Sequence, residues 1–268
     1  MDLLQAILIA IVEGLTEYLP ISSTAHMIFT SSFFGIQEDD FVKLFQVSIQ
    51  FGAILAVVFL YWRKFFDFSK LTFYIKLAAA VVPALVLGKL FDDKIDAVLG
   101  NPIPIAIVLI LGGVVLLFVD KRFQNPTVVT EEEITIKKAV IIGFWQCLAM
   151  MPGTSRSAAS IIGGMQQGLT RATAAEFSFF LAVPTMLAVT IYSLFLKTFE
   201  VTQLKGYELL LEGNNINYFL IGNVIAFVVA VLAIKLFIEV IKKYGFKPWG
   251  YYRIVAGTIL LIYFSLQN

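Results

Sequence analysis

Long apolar segments alternate with short polar ones along this chain. A helix needs about 20 apolar residues to cross a hydrocarbon core of about 30 Å. Six segments come close to that length: residues 41–61, 73–91, 104–119, 172–196, 218–238 and 249–266. The pattern therefore predicts an all-α polytopic membrane protein with about six transmembrane helices, which form a single membrane domain over residues 1–268.

Two further apolar segments are interrupted before they could span the membrane. Residues 3–19 stop at Pro20, and residues 139–151 stop at Pro152. Because an α-helix rises about 1.5 Å per residue, residues 3–12 reach only about half-way through the hydrocarbon. Non-helical backbone at that depth is tolerated only against protein or a water-filled cavity. We therefore predict two re-entrant helix hairpins, each with its tip near the midplane.

The two halves of the chain resemble each other. One shift along the sequence superposes three pairs of residues: Pro20 on Pro152, Ser23 on Ser155 and Phe45 on Phe177. Each half then holds one hairpin and three spans, and an odd number of crossings inverts the second half. We predict an inverted repeat with residues 1–120 and 136–268 as its halves, an arrangement that builds membrane-embedded sites. Chance similarity between apolar segments is the alternative.

Composition agrees with a membrane protein and excludes several other classes. Of the 268 residues, 59% are hydrophobic and 15% are charged, and the mean hydropathy is +0.86, outside the range of soluble domains. The net charge of +1 gives no indication of nucleic-acid binding. The single cysteine, Cys147, excludes an intramolecular disulfide and a cysteine-based zinc site. The first residues lack the features of a signal peptide, so we expect them in the mature protein.

Lysine and arginine in the loops predict the orientation, because cytoplasmic loops carry an excess of these residues. The basic residues after the first, third and fifth spans are Arg63, Lys64, Lys70, Lys76, Lys121, Arg122, Lys137, Lys138, Lys242, Lys243 and Lys247. In the opposite loops lysines lie among acidic residues, as Lys94 does beside Asp93. We therefore expect both termini and the mouth of the first hairpin to face outward. The second hairpin would enter from the cytoplasmic side.

The first hairpin contains two carboxylates and the only histidine of the chain. Glu13 and Glu17 are four residues apart, so they share one face of a helix. Like charges in a low-dielectric site require a shared proton, a cation or a guanidinium. Carboxylate oxygens are suitable ligands for Mg²⁺ or Ca²⁺, which often complete their shell with phosphate oxygens. The alternative is a pair of interfacial glutamates in contact with water.

Hydroxyl groups follow the break in the first hairpin. Pro20 ends the first helix, and Ser22, Ser23 and Thr24 begin the second. The free N–H groups and the dipole at such a helix start form an anion site. His26 lies close enough in sequence to share a face with Ser22 or Ser23, which suits nucleophilic or acid–base catalysis. A helix cap and a packed histidine are the alternatives.

The second hairpin contributes an arginine and more hydroxyls. Arg156 is predicted to lie deep in the membrane, and its planar fork suits bidentate phosphate binding. The hydroxyl residues around it are Thr154, Ser155, Ser157 and Ser160. The alternative is a purely structural ion pair of Arg156 with Glu13 or Glu17.

Two motifs resemble those of the undecaprenyl-diphosphate phosphatase family of bacteria, also called bacitracin-resistance proteins. They are Glu-Gly-Leu-Thr-Glu-Tyr-Leu-Pro-Ile-Ser-Ser-Thr-Ala-His at 13–26 and Pro-Gly-Thr-Ser-Arg-Ser at 152–157. The resemblance covers nearly the whole chain, although Ala25 and Ala158 stand where many relatives have glycine. It implies a hydrolase of the bacterial cytoplasmic (inner) membrane, with an inverted-repeat fold. The enzyme would remove the terminal phosphate of undecaprenyl diphosphate, recycle the lipid carrier of peptidoglycan synthesis and confer bacitracin resistance.

The resemblance also implies that the site needs a divalent cation, for which we expect Mg²⁺ or Ca²⁺, and the orientation predicted above opens the site to the outer face. Its catalytic residues would be Glu13, Glu17, Ser23, His26 and Arg156. Its phosphate-binding residues would be Arg156, Ser155, Thr154, Ser22, Ser157 and Ser160. The metal ligands would be Glu13 and Glu17.

Two questions stay open at the level of sequence. Ser23 could attack phosphorus with His26 as its base, or His26 could activate water while Ser23 holds an oxygen. The alternative function is a transporter or flippase of undecaprenyl phosphate or diphosphate, because such proteins also combine inverted repeats with broken helices. The sequence does not decide whether the chain forms a homodimer.

Overall fold

The computed structural model describes the backbone of residues 1–99 and 101–266, and the side chains of these residues except 92–99. This described part is helical, with isolated bridges but no strand. Its α-helices are α1 (Leu3–Thr16), α2 (Ser23–Phe33), α3 (Asp40–Ser48), α4 (Gln50–Leu60), α5 (Trp62–Phe65), α6 (Leu71–Leu99), α7 (Pro102–Arg122), α8 (Ile136–Gln146), α9 (Arg156–Gln166), α10 (Arg171–Phe195), α11 (Gly206–Leu211), α12 (Asn215–Tyr244) and α13 (Lys247–Ser265).

Five helical segments of the described chain are long and apolar enough to span a membrane. They are Asp40–Leu60, Leu71–Phe91, Pro102–Arg122, Arg171–Phe195 and Asn215–Tyr244. They confirm the all-α polytopic class and five of the six predicted spans. The sixth, residues 249–266, lies in helix α13 but is not among the apolar spans. Lys247 and Arg253 lower the mean hydropathy of α13, which explains the difference.

Each predicted hairpin folds back on itself. The amino group of Met1 lies 3.6 Å from Asp39 Oδ2, so the chain before α1 meets the chain after α2. In the second hairpin the Thr127 and Val128 N–H groups donate to Gly168 O, so the chain before α8 meets the chain after α9. Helix α1, with 14 residues, is about 21 Å long and too short to cross the hydrocarbon. The segment 13–26 therefore forms a hairpin tip, as predicted.

The two hairpins enter from opposite ends of the molecule. Helix α10, with 25 residues, is about 38 Å long. It begins beside the mouth of the second hairpin, where Thr170 N–H donates to Val128 O. Beyond its other end, Thr202 N–H donates to Asp40 Oδ2 at the mouth of the first hairpin, at 2.7 Å. The tips therefore approach each other from opposite sides, while the division into repeats at 1–120 and 136–268 remains a prediction.

Helix α12 packs closely against the first hairpin and its neighbour α4. The Gly52 N–H donates to Asn223 Oδ1 at 2.7 Å. A Cβ atom at Gly52 would lie 2.2 Å from Asn223 O, and one at Gly14 would lie 2.6 Å from Ala226 O. Glycine at these positions lets the helix backbones touch, as is common for helices packed in membranes. This packing supports α1, which contains Glu13 and is followed directly by Glu17.

Basic and acidic loops meet at one end of the fold. Lys64 Nζ lies 2.6 Å from Glu131 Oε2, and Lys76 Nζ donates to the Glu131 and Glu132 carbonyl oxygens at 3.0 Å. The loops after the first and third spans therefore lie on the same side, as the distribution of lysine and arginine predicted. The acidic stretch around Lys94 lies outside the described side chains.

Candidate active site

Each hairpin tip ends in a serine that caps the following helix. Ser22 Oγ accepts the Ala25 N–H at 3.4 Å, and Ser155 Oγ accepts the Ala158 N–H at 3.2 Å. The φ angles of Ser22 and Ser155 are 70° and 74°, in a region that non-glycine residues seldom occupy. Such strain persists only where the surroundings enforce it, and it is concentrated at functional sites.

The two caps align the tips one residue away from the alignment that the sequence shift gave. The sequence shift paired Ser23 with Ser155, whereas the caps pair Ser22 with Ser155. Ser23 therefore corresponds to Arg156, and each is the first residue of its helix. The two residues singled out for chemistry thus occupy equivalent positions at the two tips.

Glu17 brings these two residues together. Arg156 Nη2 and Nε donate to Glu17 Oε1 at 2.9 and 3.3 Å. Ser23 Oγ donates to the other oxygen, Oε2, at 2.5 Å. The third nitrogen, Arg156 Nη1, donates to Ser178 O at 3.0 Å. All four residues are buried, so this contact joins the hairpins in a water-poor environment.

Glu13 lies one turn before Glu17 and is fully buried. Within the described part of the chain, neither of its carboxylate oxygens has a hydrogen-bond partner. An unpaired buried carboxylate is unfavourable, so such groups take up a proton or bind a cation. A purely structural ion pair, the alternative considered above, explains the contact of Arg156 with Glu17, and a proton shared between Glu13 and Glu17 would satisfy Glu13.

Two carboxylates could form part of a site for a divalent cation that is shared with a phosphate, and such a cation stays a prediction. The described residues contain no group of three or more His, Cys, Asp or Glu side chains that would hold a metal by themselves. Glu13 and Glu17 would therefore supply only part of a coordination shell. Mg²⁺ is commonly held in this way, by one or two carboxylates together with substrate phosphate and water.

The two ring nitrogens of His26 lie next to groups other than the Ser23 hydroxyl. Its Nδ1 lies 2.8 Å from the Ser22 backbone oxygen, and its Nε2 lies 2.8 Å from the Tyr252 hydroxyl oxygen. Ser23 donates to Glu17 instead. His26 is half-buried on α2, one turn beyond the cap.

The other predicted hydroxyls already have partners inside the protein. Ser157 Oγ donates to Leu19 O at 2.8 Å and thus joins the tips, and it lies 3.0 Å from Ser155 Oγ. Ser160 Oγ lies 2.6 Å from Ser178 Oγ and connects α9 with α10. A role of these serines in binding substrate phosphate stays a prediction.

The comparisons with known proteins agree with this geometry. The family described as "Bacitracin resistance protein BacA" matches residues 6–259. The chain belongs to the BacA family. The undecaprenyl-diphosphatases of Flavobacterium johnsoniae and Flavobacterium psychrophilum are 54% and 55% identical to it, over 98% of this chain and 96% of theirs. That of Porphyromonas gingivalis is 48% identical over the same shares. The resemblance inferred from the two motifs is therefore confirmed.

A second buried arginine of this BacA-family protein was not singled out from the sequence. Arg253 is fully buried, and Nη1 donates to Pro20 O at 3.1 Å and to Thr154 O at 3.0 Å. Nη2 donates to Gly153 O at 2.7 Å, and Nε donates to Leu109 O at 3.1 Å. Arg253 therefore binds the backbones of both tips and of α7. Thr154 thus contributes its carbonyl oxygen to the contacts of Arg253, while its side chain is half-buried.

The sequence did contain a signal for Arg253, because ionisable residues inside an apolar span are a functional hypothesis by default. Arg253 lies within the predicted span 249–266 and qualifies on the same ground as Arg156. No comparable signal exists for Tyr252 or Ser178. A tyrosine near a membrane surface and a serine in a span are ordinary, and only the fold brings them to His26 and Arg156.

Proposed function

We propose that this protein is an integral membrane phosphatase that hydrolyses undecaprenyl diphosphate to undecaprenyl phosphate and inorganic phosphate. The reaction recycles the lipid carrier of peptidoglycan synthesis and confers resistance to bacitracin. Glu17 of the first hairpin accepts hydrogen bonds from Ser23 of the same hairpin and from Arg156 of the second hairpin, and all three residues are buried. This observation carries the proposal. Membership of the BacA family and the names of the relatives support it.

A site at membrane depth would suit the two parts of the substrate. Undecaprenyl diphosphate has a long apolar tail and a multiply charged head, so it fits a polar site open to the bilayer. Phosphoryl transfer depends mainly on positioning and charge stabilisation. The Arg156 guanidinium and the N-termini of α2 and α9 would supply positive charge to the phosphate oxygens.

Ser23 is the proposed nucleophile. Its oxygen would attack the terminal phosphorus and displace undecaprenyl phosphate, and water would then hydrolyse the phosphoserine to release inorganic phosphate. The 2.5 Å bond to Glu17 Oε2 favours Glu17, rather than His26, as the group that accepts the Ser23 proton. His26 would then serve the step that involves water or the leaving group.

Replacement of Ser23 by alanine tests this mechanism. We expect Ser23→Ala to lower kcat/KM at least about 1000-fold, because the variant lacks the nucleophile. Acid quenching with substrate labelled in its terminal phosphate should trap label on wild-type protein and not on the variant. Ser32→Ala, at the far end of α2, is the matched control. An unlabelled wild type, or a Ser23→Ala variant of normal rate, would favour water activated by His26.

A divalent cation, Mg²⁺ or Ca²⁺, is part of the proposal. Glu13 and Glu17 would hold it, and the unpaired buried carboxylate of Glu13 is the supporting observation. When bound, the cation would neutralise charge on the phosphate oxygens. Arg156 would still orient the terminal phosphate, and Glu17 would still hold the Ser23 hydroxyl.

Phosphate release by purified protein in detergent tests the function as a whole. Detergent offers no second compartment, so a transporter or flippase would release no phosphate. We expect the wild type to release phosphate, a chelator to abolish release, and added Mg²⁺ or Ca²⁺ to restore it. Glu13→Gln should be inactive, while Glu132→Gln, an exposed loop variant, should retain activity. Absence of release from the wild type would contradict the function, and resistance to the chelator would contradict the cation alone.

We further propose that the protein lies in the bacterial cytoplasmic (inner) membrane with its basic loops inside. The loops that contain Lys64 and Glu131 lie on the same side of the molecule, which supports placing both at the cytoplasmic face. Both termini and the mouth of the first hairpin would then face outward. Undecaprenyl diphosphate would reach the site from the outer leaflet.

A further inference from the structure

Both ring nitrogens of His26 are engaged inside the protein. Nδ1 lies 2.8 Å from the Ser22 backbone oxygen. A carbonyl oxygen only accepts hydrogen bonds, so Nδ1 must carry a proton. In the neutral imidazole, Nε2 then presents a lone pair. The backbone oxygen of Ser22, the residue that caps α2, therefore fixes the tautomer of His26.

Tyr252 satisfies the other nitrogen. Its hydroxyl oxygen lies 2.8 Å from His26 Nε2, and the two rings are nearly parallel, with an interplanar angle of 12° and centroids 5.7 Å apart. The Tyr252 O–H can therefore donate to the Nε2 lone pair. Tyr252 lies on α13 directly before Arg253, which binds the backbones of both tips. The position of the tyrosine is therefore fixed by the same element that joins the hairpins.

We propose that Tyr252 is a positioning residue for the phosphatase reaction, acting through His26. Its hydroxyl and ring hold the imidazole in one orientation at the tip, while the Ser22 backbone oxygen fixes the tautomer. The inference rests on the proposed function, because it assumes that His26 serves catalysis. Tyr252 itself need not touch the substrate. Without its hydroxyl, only the bond from Nδ1 to the Ser22 backbone oxygen would orient the imidazole.

Tyr252→Phe separates this role from simple packing, because phenylalanine keeps the ring and loses only the hydroxyl. We expect kcat to fall about 10-fold with KM within about 3-fold of the wild type, since a misoriented acid–base group lowers the rate of the chemical step. Tyr251→Phe is the matched control, a neighbouring and more exposed tyrosine on the same helix, and it should leave both constants unchanged. Apparent melting temperatures of the three proteins would report any loss of folding.

The single histidine of the chain allows a second readout that does not depend on activity. In protein labelled with ¹⁵N-histidine and carrying a tag without histidine, the wild type should show one neutral tautomer, protonated at Nδ1. Tyr252→Phe should keep this tautomer but show a shifted Nε2 resonance and a broader distribution of ring orientations, because the lone pair has lost its donor. An unchanged histidine spectrum together with an unchanged kcat in Tyr252→Phe would overturn the proposal, as would an equal loss in Tyr251→Phe. A wild type without phosphatase activity would contradict the proposed function, while the spectra would still test the histidine–tyrosine pair.

Discussion

Arg156→Lys is expected to reduce kcat/KM for phosphate release by at least about 100-fold, the usual effect of removing a preorganised charge-stabilising donor. Arg156 uses two nitrogens on Glu17 Oε1 and a third on Ser178 O. Lysine has a single nitrogen on a flexible stem, so it cannot reproduce this planar arrangement. The loss should appear mainly in kcat, because the geometry that Arg156 fixes includes the Ser23 hydroxyl through Glu17. Phosphate release from undecaprenyl diphosphate in detergent measures the effect.

Arg171→Lys is a matched control for this substitution. Arg171 is also the first residue of its helix, α10, and it also pairs with a carboxylate, since Nε lies 2.6 Å from Asp120 Oδ1. It is half-exposed and lies near the mouth of the second hairpin rather than at its tip. We expect this variant to keep activity within about 3-fold, as for other partly exposed ion pairs. A similar loss in both variants, or nearly full activity of Arg156→Lys, would refute the assigned role of Arg156.

The breaks in the hydrophobic pattern were sufficient to predict the hairpins. Pro20 and Pro152 terminate apolar segments that are too short to span, and polar backbone at that depth requires an internal site. The sixth span was harder to predict, because length alone does not distinguish an apolar helix from one such as α13. Arg253 binds the tips there, and the same charge reduces the hydropathy of the helix. The low hydropathy of α13 therefore points to Arg253, the residue that binds both tips.

The sequence predicted the parts of the candidate site that depend on spacing within a short segment, but not the contacts between distant segments. Glu13, Glu17 and Ser23 lie within one hairpin, and Arg156 is conspicuous because charge in an apolar segment needs a partner. Helical spacing allowed a contact of His26 with either Ser22 or Ser23, and it could not show the Tyr252 hydroxyl on α13, which lies 2.8 Å from Nε2. Tyr252 is more than two hundred positions away in sequence, and only tertiary packing brings it to His26.

Arg156 and Arg253 both join the hairpins, but they bind different groups. Arg156 joins side chains, and its contacts with Glu17 place Ser23 at the reacting centre. Arg253 joins backbones, with donors to Pro20 O in one tip and to Gly153 O in the other. Arg156→Lys keeps a positive charge beside the buried Glu17, so it should affect chemistry more than folding. Loss of Arg253 should affect both, because it releases the tips that carry the site.

Arg253→Met is expected to lower both stability and activity. Methionine keeps much of the apolar stem but leaves the carbonyl oxygens of Pro20, Gly153 and Thr154 without this donor. Each buried acceptor left unsatisfied costs about 1–3 kcal/mol, so the total should be at least about 3 kcal/mol. At about 2–4 °C per kcal/mol for a chain of this size, the apparent melting temperature should fall by about 6–12 °C. Thermal unfolding in detergent measures this shift, and phosphate release measures the accompanying loss of activity.

Two further variants separate the role of Arg253 from a general effect of substitution. Arg122→Met removes an exposed arginine at the end of α7 and should change neither property. Gly112→Ala keeps Arg253 but places a Cβ atom 2.1 Å from its Nη2, so the guanidinium must shift. If Arg253 holds the tips in register, Gly112→Ala should lower activity even where the protein still folds. Normal activity and stability in both Arg253→Met and Gly112→Ala would show that the tips keep their positions without this arginine.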